Sequence, residues 1–288
     1  MKKLIALVLA LCIIAAFAGC SKKTEAPTTA PTTEAPTTEA ATTVATEVPA
    51  EPEGTVMTHA DYVAAELESP VYVETYVQAT QSWWENKITV YAQSEDGAYF
   101  LYNMECTEDD AARLVPGTRI RVNGYKAEWS GEVEIVDATF EILDGSYIAE
   151  AKDVTALLGT DELAAHQNEK VSFKGLTVEA ANDAGDAFLY NWDGSGEAGN
   201  NNDLYFNVSD GTNTYTFTVE SYLCGEGTDV YTAVTNLKVG DTIDVEGFLY
   251  WYNGAQPHVT SVTVKYFVIC FMKKLPLSEA VFFWGGYL

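Results

Sequence analysis

Positive charge is what this sequence has least of. Sixteen Lys and Arg stand against 42 Asp and Glu, a formal net charge of −26 over 288 residues. Such a surface repels phosphate backbones and anionic lipid faces, so nucleic acid is disfavoured as a partner. Histidine is scarce as well: His59, His166 and His258 fall in a leading helix, a linking helix and a final strand, with no nucleophile or carboxylate at a catalytic spacing. Ser195 stands in Asp193-Gly194-Ser195-Gly196, which lacks the first Gly of a nucleophile elbow. These absences point away from an enzyme. Of the few cysteines, Cys12 and Cys20 belong to the first 20 residues, leaving Cys106, Cys224 and Cys270. Cys106 and Cys224 end corresponding strands of separate domains, outside disulfide reach, so free thiols are expected. Neither apolar run, at the start or the end, is long enough for a bilayer crossing of about 20 residues.

What is present is repetition. GTRIRVNGYKAEWSG (117–131) returns without a gap as GDTIDVEGFLYWYNG (240–254). Gly117 falls on Gly240, Ile120 on Ile243, Val122 on Val245, Gly124 on Gly247 and Trp129 on Tyr252. Each copy opens with a Gly turn and then alternates, Ile120 and Val122 on one side and Arg119, Arg121 and Asn123 on the other. Gly124 and Gly247 interrupt the strand as a bulge of a small barrel requires. Ser130-Gly131 and Asn253-Gly254 are hairpin-turn dipeptides. Two copies at domain-sized spacing imply two similar β-domains.

Around each copy the order of elements agrees. In the first, Thr58 and Asp61 cap a short helix over 59–69, stopped by Pro70. Strands follow at 71–79, 88–93 and 98–104, then a helix at 108–114, the repeated hairpin and a strand near 133–143. In the second, a helical segment over 153–167 precedes strands at 170–180, 204–211 and 214–223, a helix at 228–237, and the hairpin with its closing strand at 258–267. Strand, strand, strand, helix, strand, strand is the order of a five-stranded Greek-key OB-fold. The expected fold is therefore mainly β, two tandem OB-like barrels at 57–146 and 150–267, each preceded by a short helix.

Lys2 and Lys3, an apolar run from Leu4 to Ala16, and Phe17-Ala18-Gly19-Cys20 read as an export signal over 1–20. The ending resembles the lipobox of bacterial lipoproteins, with Phe17 where Leu is usual. The resemblance implies cleavage before Cys20, its diacylation, and a protein held on the outer face of the cytoplasmic membrane. An uncleaved anchor is the alternative. Residues 21–56 are rich in Thr, Pro and Glu and cannot bury a core, so a disordered stalk is expected. Fully extended it reaches on the order of 100 Å. The last segment, 268–288, loses the acidic character and reads either as an apolar piece packing on the second barrel or touching a membrane, or as sequence no barrel needs.

The Gly-turn strand, the aromatic hairpin ending in Gly and the preceding Asp-Gly-turned hairpin resemble OB-fold modules of the tRNA-anticodon-binding type found in secreted bacterial proteins, some attached to extracellular nucleases. That resemblance covers about two-thirds of the chain and implies a binding module, of nucleic acid in some members. The chain departs from those modules in lacking a basic groove.

OB-folds bind on strands two and three and between the loops joining strands one–two and four–five. Aromatic residues crowd those loops here: Trp83 and Trp84, then Trp129; Tyr190 and Trp192, then Tyr250, Trp251 and Tyr252. Such rings stack sugars or bases, and two or three contacts make a weak to moderate binder. Trp129 and Tyr252, at matching hairpin positions, could equally cover a barrel end. Arg119, Arg121 and Lys126 form a local basic spot, but their counterparts are Thr242, Asp244 and Leu249, so the spot is not part of the repeated design. Neutral carbohydrate, a peptide or a protein suits the composition better than nucleic acid. Asn191, Asp193, Ser195 and Glu197 echo the start of a calcium loop, with Asp203 standing in for the missing bidentate Glu, although strands rather than helices flank it. A solvated loop is the plainer reading, and no cofactor is otherwise implied.

Overall fold

A computed structural model describes residues 54–265. The export signal, most of the stalk, the Cys20 site and the 268–288 tail lie outside the described residues.

Thr58 caps helix α1 (His59–Ala64) through the capping box foreseen with Asp61. The first barrel follows from β1 (Pro70–Thr80), β2 (Lys87–Gln93), β3 (Ala98–Glu105), β4 (Thr118–Trp129) and β5 (Glu132–Ser146), with α2 (Glu108–Ala111) between β3 and β4. It closes in the order β1-β2-β3-β5-β4, the β3–β5 pair being parallel. The second barrel repeats the plan. After a two-residue strand β6 (Lys152–Asp153) come β7 (Lys170–Glu179), a short β8 (Leu189–Tyr190), β9 (Leu204–Ser209), β10 (Thr214–Val219), α3 (Asp229–Thr235), β11 (Thr242–Phe248) and β12 (His258–Lys265). Pairing of β7 with β9 closes β7-β11-β12-β10-β9, again with a parallel contact, β10 to β12. Both are closed five-stranded barrels of the OB type, and both lie in one compact unit.

The alternation read from the sequence is what fills them. Val73, Val90, Leu101, Ile120, Val122 and Ile135 pack the first barrel; Phe173, Phe206, Phe217, Ile243, Val245 and Val259 pack the second. The ladder slips at Gly124 and at Gly247, where the repeat places its glycines. At Gly247 a Cβ would collide with the carbonyl of His258 on the paired strand, so only hydrogen fits.

The segment 153–167 departs from expectation. It forms two 3₁₀ turns, Thr155–Leu157 and Asp161–His166, rather than a helix. Gly159 at φ +75 breaks the segment in two, and each piece is too short to meet the nucleation cost of an α-helix. The second barrel is thus preceded by turns, not by a helix like α1. Cys106 is buried and Cys224 half-buried, and both are free.

The barrels share an interface. Tyr91 and Phe100 of the first pack on Phe248 of the second, the Tyr91 and Phe248 rings stacked at 4.6 Å. The two copies of the repeated hairpin touch at their tips: Asn253 N–H donates to the Ser130 carbonyl at 2.7 Å, and the Trp129 and Tyr252 rings lie 5.3 Å apart. Trp251 sits over Gly131, where a side chain would strike its indole. Beneath, the Glu132 carboxylate accepts from the Trp251 N–H at 2.8 Å and from Gln167 Nε2 at 3.3 Å. Glu132 has no exposed surface and its second oxygen has no partner. Burial, only partly countered by those donors, pushes its carboxyl up to about 8.

Candidate functional site

Between the barrels runs a groove of about 1010 Å³. Its first wall is β2 and β3 with their flanking turns, carrying Trp84, Lys87, Thr89, Phe100 and Tyr102; the β4–β5 tip adds Trp129. Its second wall is the outer face of β9 and β10, where period-2 alternation presents Asp203, Tyr205 and Asn207 beside Thr216, Thr218 and Glu220. Trp192, Tyr222, Tyr250 and Tyr252 complete it from the loops. Strands two and three of both barrels therefore face one space.

Five of the eight aromatic residues singled out from the sequence reach that space: Trp84, Trp129, Trp192, Tyr250 and Tyr252. Trp84 is 70% exposed and Trp192 76% exposed. The other three are built into the scaffold. Trp83, next to Trp84 but turned inward, packs on the first core and donates its indole N–H to the Cys106 carbonyl at 2.8 Å. Tyr190 packs on the second core edge-on to Phe188. Trp251 is half-buried over the Gly131 turn. Tyr102, Tyr205 and Tyr222 line the groove as well, and the alternation of Tyr205 with Asp203 and Asn207 is the signal in the sequence that puts Tyr205 on this face.

The basic spot does not reach the groove as free charge. Arg121 donates to Glu74 Oε1 at 2.8 Å and to Glu141 at 3.2 Å, and Arg119 pairs with the other Glu74 oxygen. Glu74 is partly desolvated, but the two guanidiniums outweigh that and hold its carboxyl below the usual range. Lys126 Nζ donates to the Tyr62, Val63 and Ala65 carbonyls at the end of α1. Among the described residues Lys87 is the one Lys or Arg of the groove lining, against Asp203 and Glu220.

The proposed calcium ligands do not converge. Asp193 Oδ1 accepts the Ser195 N–H at 3.0 Å, Glu197 accepts from Asn200, and Asn191 donates to Ser195 Oγ. Asp203 turns instead to Ser221, accepting its N–H at 2.9 Å and its hydroxyl at 2.7 Å. Among the described residues no group of three or more His, Cys, Asp or Glu is arranged to hold a metal ion.

The groove floor is polar and ordered. Gln81 Nε2 donates to the Tyr91 hydroxyl at 3.2 Å, which leaves the Tyr91 hydrogen for His258 Nδ1 at 2.6 Å. Burial pushes the His258 imidazole down to about 3, so it is neutral, and Nε2–H is its remaining donor. Its ring stacks on Tyr250 at 4.1 Å. Thr218, the register partner of His258, is 2% exposed with no partner for its hydroxyl. Glu220 accepts the Tyr222 and Leu223 N–H groups; burial, and then Asp203, push its carboxyl up to about 7.

The fold and site together define a tandem OB-type protein with an aromatic, acid-edged groove between its barrels. No protein-family profile matches the chain, and no curated protein matches it in sequence. Among solved structures it is similar to the tetrameric p202 HIN2, at 14% identity over 70% of this chain and 96% of that one, with a TM-score of 0.29. A murine DNA binding protein bound with ds DNA matches at 12% identity over 68% of this chain and 98% of that one, TM-score 0.29. A Replication Protein A heterotrimer bound to ssDNA matches at 11% identity, TM-score 0.25, over 70% of this chain and 50% of that one. Scores this low carry no argument about the ligand of this chain.

Proposed function

We propose that the protein is a non-catalytic binding module, tethered outside the cytoplasmic membrane through Cys20, that holds an extended oligosaccharide in the inter-barrel groove. One observation supports this above the rest. Exposed rings from both barrels surround a groove whose polar lining is mostly neutral amide and hydroxyl, and Arg119, Arg121 and Lys126 of the basic spot are already paired elsewhere. Flat rings cover sugar faces, amides and hydroxyls satisfy sugar hydroxyls, and OB-folds present such surfaces on strands two and three. Single-stranded nucleic acid is the competing reading, because the same rings stack bases whatever their sequence. It needs cations to displace counterions, and among the described residues of the lining Lys87 alone serves that purpose.

Tryptophan fluorescence decides between them. Titration with glucose and N-acetylglucosamine hexasaccharides, an uncharged peptide and a single-stranded oligonucleotide is expected to give saturable changes with a hexasaccharide. Oligonucleotide binding at low salt that fades as salt is added, with no response to either sugar, would transfer the assignment to nucleic acid. The tether has its own check: a Cys20→Ala form is expected to lose incorporation of labelled fatty acid, and retained label would refute the anchor.

A further inference from the structure

The groove floor has a donor–acceptor pattern more particular than a neutral glucan requires. Thr218 and His258 are register partners on β10 and β12, and Glu220 follows Thr218 by two residues on the same face. The Thr218 hydroxyl, in a wall of the groove, is enclosed and accepts or donates no hydrogen bond to the described residues. Asp203, also in the lining, commits one oxygen to Ser221. Tyr205 and Tyr222 stand in the same lining as the two acids.

From these residues we infer that the groove contains an amino-sugar subsite, in which Glu220, Asp203 and the Thr218 hydroxyl receive an ammonium group while His258 Nε2–H donates to the neighbouring sugar hydroxyl. This rests on the oligosaccharide reading above and specifies the sugar. An ammonium has three hydrogens to donate and no acceptor, which suits two carboxyl groups and one orphan hydroxyl oxygen. A neutral imidazole that donates from Nε2 needs an oxygen beside that ammonium, and a 2-amino sugar carries an amine and a hydroxyl on adjacent carbons. Tyrosine faces attract a cation further. The overall charge of −26 draws a polycationic sugar toward the protein and repels a polyanion. Burial first, and then the neighbouring charge of Asp203, holds Glu220 high in its titration range, and a cation placed between the two acids would offset the second of these.

The test is titration of the full chain with glucosamine hexasaccharide, N-acetylglucosamine hexasaccharide and glucose hexasaccharide at about pH 6.5, where ammonium is available. The glucosamine oligomer is expected to bind at least tenfold more tightly than either neutral one. Glu220→Gln is expected to reduce that ratio to about twofold. Thr218→Val, which keeps the shape and removes an unpartnered hydroxyl, is expected to fold at least as well as the parent and to weaken the glucosamine oligomer severalfold. Equal or tighter binding of a neutral hexasaccharide would overturn the subsite while leaving the glycan reading intact. Response to a lysine-containing peptide but to none of the three sugars would overturn both.

Discussion

Replacing Glu132 by Gln is expected to raise the unfolding temperature at about pH 8.5 by roughly 5–10 °C and to leave it nearly unchanged at about pH 5. Glu132 is sealed under Trp251 at the junction of the barrels, and its carboxyl is pushed up to about 8 from an ordinary value near 4.5. The folded state therefore holds a proton that the unfolded chain has released throughout that interval. Stability from this group is full below about pH 4.5, declines as pH rises, and is exhausted above about pH 8; a single such group is worth on the order of a few kcal/mol. Glu220 and Glu134, also raised, act in the same sense. His258 supplies the opposite limb: burial lowers it to about 3, so the fold loses stability as pH falls below about 6.5 and the unfolded chain takes up the proton first. The optimum lies between the limbs. Glutamine keeps an acceptor for the Trp251 N–H and has no charge to bury, so the alkaline decline should shrink while the acid limb stays. Melting curves of both proteins across this range check it, and parallel profiles would remove Glu132 from the account.

The second large effect concerns the rings. Trp84→Ala combined with Trp192→Ala is expected to weaken hexasaccharide binding about a hundredfold, at roughly 1–3 kcal/mol per stacked ring by analogy with bases. Both indoles are more than two-thirds exposed, so the unfolding temperature should move by no more than a few degrees. Trp83→Ala is the control with the reverse signature. It removes core packing and the bond to the Cys106 carbonyl, for about 2–4 kcal/mol of stability, while the groove keeps its rings. Calorimetric titration and melting of the parent and the two variants separate these roles. A double variant that binds like the parent would show that the ligand sits elsewhere.

The contrast between Trp83 and Trp84 shows what the sequence could and could not convey. The barrels were legible because each carries the same order of strands, the same glycine bulge and the same turn dipeptide, all local signals. The capping box at Thr58 was legible for the same reason. Within a loop no period tells which of two neighbouring indoles faces inward, so Trp83 and Trp84 looked alike. The same want of a period hides that Tyr190 and Trp251, counted among the loop aromatics, pack on the second core. The groove was harder still, since it is formed by two barrels facing each other and each barrel's sequence describes only itself. The basic spot at Arg119 and Arg121 could be counted, but its neutralisation by Glu74 on the adjacent strand depends on register. Residues 153–167 show helical composition defeated by one glycine and too few residues on either side.

The bond between Asn253 and the Ser130 carbonyl has a consequence for how such a pair of barrels could diversify. The spacing between the two halves is pinned there by main-chain atoms, whereas the surfaces that would meet a guest are side chains on neighbouring strands and loops. Selectivity can thus be rewritten residue by residue at Trp84, Tyr102, Trp192 or Tyr222 without disturbing the clasp that sets the width of the opening.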